Sequence, residues 1–335
     1  MISNTAAELN EAFKKAREII EKHNNIIVTT HRNPDGDAIG SALGIFYYLK
    51  DKGKTVRLIN NSPTPDNLKF IDADNDIEYY IAEKHDEAIK SAGLILVVDL
   101  NDIKRVNEMA EPIEESAAFK MVIDHHIDPK PFAGHYVVDT DSASAGQLIY
   151  KLVKEDFELD KKTATALYAA IMTDTGSFRF PRTDGEVHRI IGALIDAGAD
   201  PVYIYENIYN MQKPEALKLL GRAFTSLEHY AGGKAAVMTL TRKDFKETGA
   251  AGDDVEGIVE NSQSMSGVML GVLISDNPDA DEVRMSFRSK GDVSARDFAL
   301  KFNGGGHQHA AGARVKHKDI KEVKEALIYE IKKVL

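Results

Sequence analysis

Residues 25–60 read NIIVTT (25–30), HRNPDGD (31–37), IGSALGIFYYLKDKG (39–53) and, after Lys54, TVRLIN (55–60). The first run is short and β-branched, as a buried strand is, and the second is a polar loop. The third is a helix with Gly53 as its C-cap, and the fourth is another strand. Strand, helix and strand in this order predict a parallel βαβ unit.

The same alternation extends on both sides. Upstream, Thr5 and Glu8 make a capping-box pattern, and Leu9, Phe13, Ala16 and Ile20 share one face of a helix that ends near His23. Downstream come a helix at 83–92, the strand LILVVD (94–99), a helix at 101–110 and the strands FKMVIDHH (119–126) and HYVVDT (135–140). Helical stretches follow at 142–155, 161–175 and 185–198. The predicted fold is α/β: a parallel sheet with helices on both faces. A second, smaller α/β domain begins at GGKAAVMTL (232–240) and carries strand-like runs at 235–240, 268–275 and 282–289. Helices are expected there at 255–263, 294–302 and 319–334. The expected division is 1–185 for the first domain, 186–225 for a helical connector and 226–335 for the second.

Length and composition agree with two globular domains: 335 residues, 43% hydrophobic and 28% charged. No apolar run approaches a membrane span, and the N-terminus lacks the basic and apolar regions of a secretion signal, so a cytoplasmic, membrane-free location is the expectation. The absence of cysteine excludes disulfides and thiolate chemistry, which leaves His, Asp and Glu to hold any metal. The net charge of -11 argues against a general nucleic-acid binder. That charge sits mostly in the first part, with 26 Lys and Arg against 36 Asp and Glu before residue 225, and 16 against 17 from there on.

Ligands of open parallel sheets sit beyond the carboxyl ends of the strands. Three strand candidates end there in metal-ligand types: NIIVTT before His31, Asp35 and Asp37, LILVV before Asp99, and MVI before Asp124, His125 and His126. Any one of these is more often a cap or a solvated loop residue, but three such ends together are not readily coincidental. Clustered carboxylates repel one another unless cations offset them. A sulfur-free set of carboxylates and imidazoles suits Mn²⁺, with Mg²⁺, Co²⁺ or Fe²⁺ as alternatives, and two such ions would support phosphoester hydrolysis. In the second domain, NGGGH (303–307) is either a flexible loop or an anion nest. RMSFRSKG (284–291) puts Arg284, Ser286 and Arg288 on one strand face, which is either a phosphate-binding row or a solvated edge.

The segments THRNPDGDAIGS, VVDL, VIDHH and MTDTGSF resemble, in order, the four N-terminal motifs of the DHH phosphoesterase superfamily. FRSKGDVSARDFALKFNGGGHQHAAGARV resembles its DHHA1 domain. The resemblance implies His31 and Asp35 as ligands of one metal, Asp37, His125 and Asp174 as ligands of the other, and Asp99 as the bridging catalytic carboxylate. It implies His126 as a catalytic residue near the scissile phosphate. It implies Arg288, Ser289, Gly304, Gly305, Gly306 and His307 as the substrate-phosphate site, presented across a cleft between the domains. The ligand role of Asp174 rests on the resemblance alone. Asn303 stands where the family commonly has a further glycine, and Asn is the residue that best tolerates a left-handed backbone after glycine.

The compact two-domain form is similar to the nanoRNase and pAp-phosphatase group. Short oligonucleotides and nucleotides such as 3',5'-bisphosphate adenosine are then the expected substrates, without long-duplex binding, and a homodimer is left open. The alternatives are a cyclic- or linear-dinucleotide phosphodiesterase, an exopolyphosphatase or pyrophosphatase, and a non-catalytic phosphate-ligand sensor. Phe178 and Phe180, flanking Arg179, are core residues by default and base-stacking residues as the alternative.

Overall fold

A computed structural model describes residues 5–211 and 213–335. Helix α1 (Ala6–Lys22) leads into β1 (Asn25–Thr29), α2 (Gly36–Asp51), β2 (Thr55–Asn60), β3 (Ile77–Tyr79), α3 (Ala82–Lys90), β4 (Leu94–Val98), α4 (Ala110–Glu115), β5 (Phe119–Asp124) and β6 (His135–Val138). The strands form one sheet in the order β3-β2-β1-β4-β5-β6, and every pairing is parallel. Side chains alternate between its faces. Ile26, Val28, Leu96 and Ile123 enter one core, and Ile27, Ile59, Val97 and Val122 the other. Both faces are therefore covered, as continuous β-branched runs require.

Helices α5 (Ala145–Val153), α6 (Lys161–Asp174), α7 (Gly185–Asp196) and α8 (Pro201–Tyr209) complete this part. Helix α2 packs on α6 through Gly36, Gly40 and Gly44, one per helical turn. A Cβ at these positions would stand 2.4 Å from Thr173 Oγ1, 2.3 Å from the Ala166 carbonyl oxygen and 2.5 Å from Leu167 Cδ2. At Gly40 the obstacle is backbone, which cannot rotate away, so there only glycine lets the two helices come this close.

The chain divides into two units between residues 211 and 212. The second contains α9 (Pro214–Thr225), β7 (Glu228–Tyr230), β8 (Ala235–Leu240), α10 (Arg242–Thr248), β9 (Leu270–Asp276), β10 (Glu282–Ser289), α11 (Ala295–Leu300), β11 (Gly305–Gly306), β12 (Ala310–Lys316) and α12 (Ile320–Val334). Its sheet runs β11-β12-β10-β9-β8-β7, antiparallel except for β8 with β9. Val283, Met285 and Phe287 face a core shared with α11 and α12.

Several local expectations change. The helix expected at 101–110 is a 3-10 segment over Ile103–Met109, broken where Asn107 takes φ 49°, followed by α4. At 255–263 only a 3-10 turn over Val259–Ser264 forms. Helix α2 begins at Gly36, which places Asp37 in its first turn and not in the preceding loop. The helical stretch at 186–225 is shared between the units: Val187, Ile190 and Ile204 lie in the core of the first, Leu219 and Ala223 in a core of the second. Strand β12 escapes the sequence because AAGARVK is rich in small residues with little β-propensity. Among the described residues no helix is long and apolar enough to cross a membrane.

Candidate metal centre

Strand order reverses direction between β1 and β4, and a doubly wound sheet opens a crevice at such a point. His31 follows β1 there and is buried; its Nδ1 bonds the Arg32 carbonyl at 2.9 Å and its Nε2 lies 3.4 Å from Asp99 Oδ2. Asp35 is exposed and caps α2 by accepting from the Ala38 amide at 3.1 Å. Two residues further in, Asp37 is buried and accepts from the amides of Ala145 and Gly146 at 2.7 and 2.9 Å, at the start of α5. Both carboxylates keep lone pairs for a cation.

Asp99 follows β4 with φ 55°, a left-handed conformation that costs a non-glycine residue about 1–2 kcal/mol. Its buried Oδ1 makes no hydrogen bond, and the Nε2 of His125 and the Nδ1 of His126 each stand 3.5 Å away. His125 follows β5; its Nδ1 contacts the Ser142 carbonyl at 3.3 Å, which turns Nε2 toward Asp37 Oδ2 at 3.6 Å and Asp174 Oδ2 at 3.3 Å. His126 is held differently, its Nδ1 bonding the buried Asp124 Oδ1 at 2.7 Å. Asp174 is the last residue of α6 and reaches the cluster from a helix end.

Three overlapping groups result: His31 with Asp35 and Asp99, Asp37 with His125 and Asp174, and Asp99 with His125 and His126. Within each, candidate ligand atoms lie within 4.8 Å of one another. Asp99 offers one oxygen to His31 and the other to His125 and His126. The same sites carry strong electrostatic tension. Burial, reinforced by Asp99 and Asp174, raises the Asp37 carboxyl well above the usual range. Burial likewise pushes Asp174 up to about 6, against the pull of His125. Burial would depress the His125 imidazole, but Asp99, Asp37 and Asp174 outweigh it and push His125 up to about 10. Burial opposes ionisation of Asp99 too, yet the imidazoles of His125 and His31 hold it well below the carboxylate range.

Such a cluster needs cations, which can be protons on the imidazoles or divalent metal ions. The donor set fits metal. Carbonyl bonds at Nδ1 of His31 and His125 leave Nε2 as the ligand atom, the arrangement common in metal-binding histidines. The orphaned Asp99 Oδ1 is an acceptor that lacks a donor.

The remaining predicted site residues lie in the second unit. Arg284, Ser286 and Arg288 share the half-buried face of β10. Arg288 is engaged: its guanidinium donates to the Phe287 carbonyl at 3.0 Å and to Glu260 Oε1 at 2.6 Å. Ser289 is buried and accepts from the Ala295 amide at 3.0 Å, which ties it to the start of α11. The glycines form no floppy loop. Gly305 and Gly306 pair with Gly312 and Ala311, Gly306 takes φ 138°, and a Cβ on Gly304 would stand 2.2 Å from the Gly312 carbonyl oxygen. Asn303 takes φ 56°, and the exposed His307 donates its amide to the Ala310 carbonyl at 2.8 Å.

The DHH family, N-terminal domain, matches residues 25–171, and the DHHA1 domain matches residues 232–333. The chain carries a DHH domain followed by a DHHA1 domain. Two curated relatives of this two-domain chain carry the name bifunctional oligoribonuclease and PAP phosphatase NrnA. That of Thermus thermophilus is 29% identical over 311 residues, covering 92% of this chain and 90% of its own. That of Bacillus subtilis is 29% identical over 300 residues, covering 88% and 91%. The crystal structure of an exopolyphosphatase-related protein from Bacteroides fragilis superposes with a TM-score of 0.91 at 28% identity, over 97% of both chains.

Sequence reasoning named neither Ser142 nor the amides at 145 and 146, and it counted Asp124 among the metal-ligand types where the structure makes it a support of His126. Asp124 orients His126, Ser142 orients His125, and the amides of Ala145 and Gly146 hold Asp37. The glycine spacing 36, 40, 44 was the visible signal that α2 and a second helix meet closely.

Proposed function

We propose that this chain is a two-metal phosphoesterase that hydrolyses short oligonucleotides and removes phosphate from 3',5'-bisphosphate nucleotides such as pAp. The observation that carries the reading is the pair of ligand groups joined through Asp99, whose two oxygens face different histidines. His31, Asp35 and Asp99 would hold one ion, Asp37, His125, Asp174 and Asp99 the other, and Mn²⁺ suits these hard and borderline donors. Two bound divalent ions supply an activated water and neutralise charge on the phosphoryl group.

The protein's own residues do the rest. Asp99 is buried and held ionised, so its charge persists at neutral pH. His126, oriented by Asp124, is the group assigned to bind the scissile phosphate or give a proton to the leaving oxygen. Arg288, Ser289, the glycines Gly304, Gly305 and Gly306, and His307 are assigned to the substrate's other phosphate, the serine and glycines chiefly by shaping the hairpin. The names of the two curated relatives support the substrate class.

The test is a panel assay of purified protein with Mn²⁺ on dinucleotides, longer single strands, pAp, cyclic dinucleotides and polyphosphate. Hydrolysis of dinucleotides and pAp is expected, with kcat/KM falling steeply as the strand lengthens, because a chain of net charge -11 has no extended basic track for a long polyanion. Activity confined to polyphosphate would overturn the nucleotide assignment.

A further inference from the structure

We propose that Phe180 is a nucleobase-stacking platform beside the metal centre, presented by a left-handed turn at Gly176, Ser177 and Phe178. The proposal rests on the phosphoesterase reading above and names where a base would sit.

The two aromatic residues that flank Arg179 have opposite fates. The Phe178 ring packs edge-on against Tyr168 at 5.8 Å and beside His188 at 5.9 Å, on the rim of the apolar core. Phe180 is 53% exposed. The backbone separates them by placing Gly176, Ser177 and Phe178 in succession at φ 56°, 57° and 66°. For the two non-glycine residues this costs about 1–2 kcal/mol each, and a bulky aromatic residue is seldom found there. Such strain persists only where the surroundings over-determine it. Here Thr175 does so. Its hydroxyl accepts from the Phe178 amide at 3.1 Å, and its carbonyl accepts from the amides of Arg179 and Phe180 at 2.9 and 3.0 Å. The Arg179 Nε adds a bond to the Gly176 carbonyl at 2.7 Å.

The turn also fixes where the exposed ring lies. A Cβ at Gly176 would stand 2.4 Å from Phe180 Cζ, so the ring is seated on the glycine's bare backbone. Gly176 is two residues past Asp174, which puts the nearest ring atom within roughly 11 Å of that residue's Cα at the chain's maximal reach. An exposed aromatic ring held this near a cluster of metal-ligand types is placed for the base of a nucleotide whose phosphate is at the cluster. Arg179, exposed on the same turn, adds a cation for the connecting phosphodiester backbone. Stacking of this kind contributes about 1–3 kcal/mol per base and is tolerant of base identity. The site would therefore favour base-bearing substrates over base-free ones without choosing among sequences.

The chain contains no tryptophan, so Phe180→Trp installs a single indole reporter. With Mn²⁺ present, adenosine 5'-monophosphate should quench its emission in a saturable way and ribose 5-phosphate should not. Equal responses to both, or none to the nucleotide, would overturn the proposal. In kinetics on a dinucleotide, Phe180→Ala and Phe180→Leu should both raise KM by about 5- to 150-fold, while Phe180→Tyr keeps it near wild type. If Phe180→Leu keeps the wild-type KM, the ring matters only as apolar cover for Gly176 and the platform is refuted. The quench reads binding without turnover. An inactive wild type with base-dependent quenching would thus sink the phosphoesterase reading alone, and an active one without it would sink the platform alone.

Discussion

His125 Nε2 lies 3.3 Å from Asp174 Oδ2, although His125 follows strand β5 and Asp174 ends helix α6. A strand end and a helix end meet there because α6 is drawn against α2 at three glycines, and α2 carries Asp37 in its first turn. The second ligand group is thus assembled by helix packing and the first by the strand edge.

Gly40→Val should damage this group from a distance. The Ala166 carbonyl oxygen stands 2.3 Å from where a Cβ would be, and backbone cannot rotate away as a side chain can. Overpacking of this kind costs about 1–3 kcal/mol. A lower Tm together with weaker Mn²⁺ binding by calorimetry is expected. Gly221→Ala, in α9 with nothing within 4 Å of the new Cβ, is the control and should stabilise by about 0.4–1 kcal/mol. A Gly40→Val protein with unchanged Tm and metal affinity would detach the centre from the α2–α6 contact.

Asp99→Asn should cut turnover by roughly 100-fold or more, the scale of losing one preorganised charge-stabilising group. Asn tolerates the φ of 55° found here, so the fold should survive and Tm should change little. Circular dichroism and a dinucleotide assay together check this. A folded variant that hydrolyses normally would end the bridging role.

Metal affinity should fall with pH, and the sign follows from the shifted groups. Asp37 and Asp174 are raised carboxyls, Asp174 to about 6, and His125 is raised to about 10. Each holds protons more firmly than an ordinary group, so metal must displace them. Binding should release protons at neutral pH and weaken steeply once pH drops below about 6, as Asp174 fills. Titration calorimetry in buffers of different ionisation heat measures the release. Affinity independent of pH between 5 and 8 would contradict it.

Arg288→Ala should raise KM on nucleotide substrates more than it lowers kcat, as expected of a residue that binds and does no chemistry. Glu260→Gln should act oppositely and lower KM, because Glu260 Oε1, 2.6 Å from the guanidinium, competes with any incoming phosphate. Steady-state kinetics of both variants decide it. Unchanged KM in the two would remove Arg288 from the substrate site.

Acid should weaken the fold locally at Glu78. Arg57 donates to both its oxygens at 2.7 Å, and this contact holds the carboxyl well below its ordinary value. A depressed carboxyl stabilises the fold above its unfolded-state pKa and loses that contribution as pH falls through the folded-state value. Glu78→Gln should therefore cost about 1 kcal/mol at pH 7 after solvent screening, and less at low pH. Urea unfolding at pH 7 and pH 3 measures the difference.

Periodicity in the sequence was enough to place β1, β4 and β5 as buried parallel strands, and with them the residues that follow: His31, Asp99, His125 and His126. A strand's period of two and a loop at its carboxyl end are local properties, written in neighbouring residues. Asp174 was not legible in that way, because no local pattern says which helix end will reach a strand edge. Its place depends on the depth to which α6 approaches α2, and that depth is set by glycines more than 100 positions upstream. The same limit separated Phe178 from Phe180. Alike in sequence, one packs half-buried against the core and the other is exposed because three left-handed residues turn the chain between Asp174 and Phe180, a conformation that local propensity disfavours and that the hydrogen bonds to Thr175 sustain.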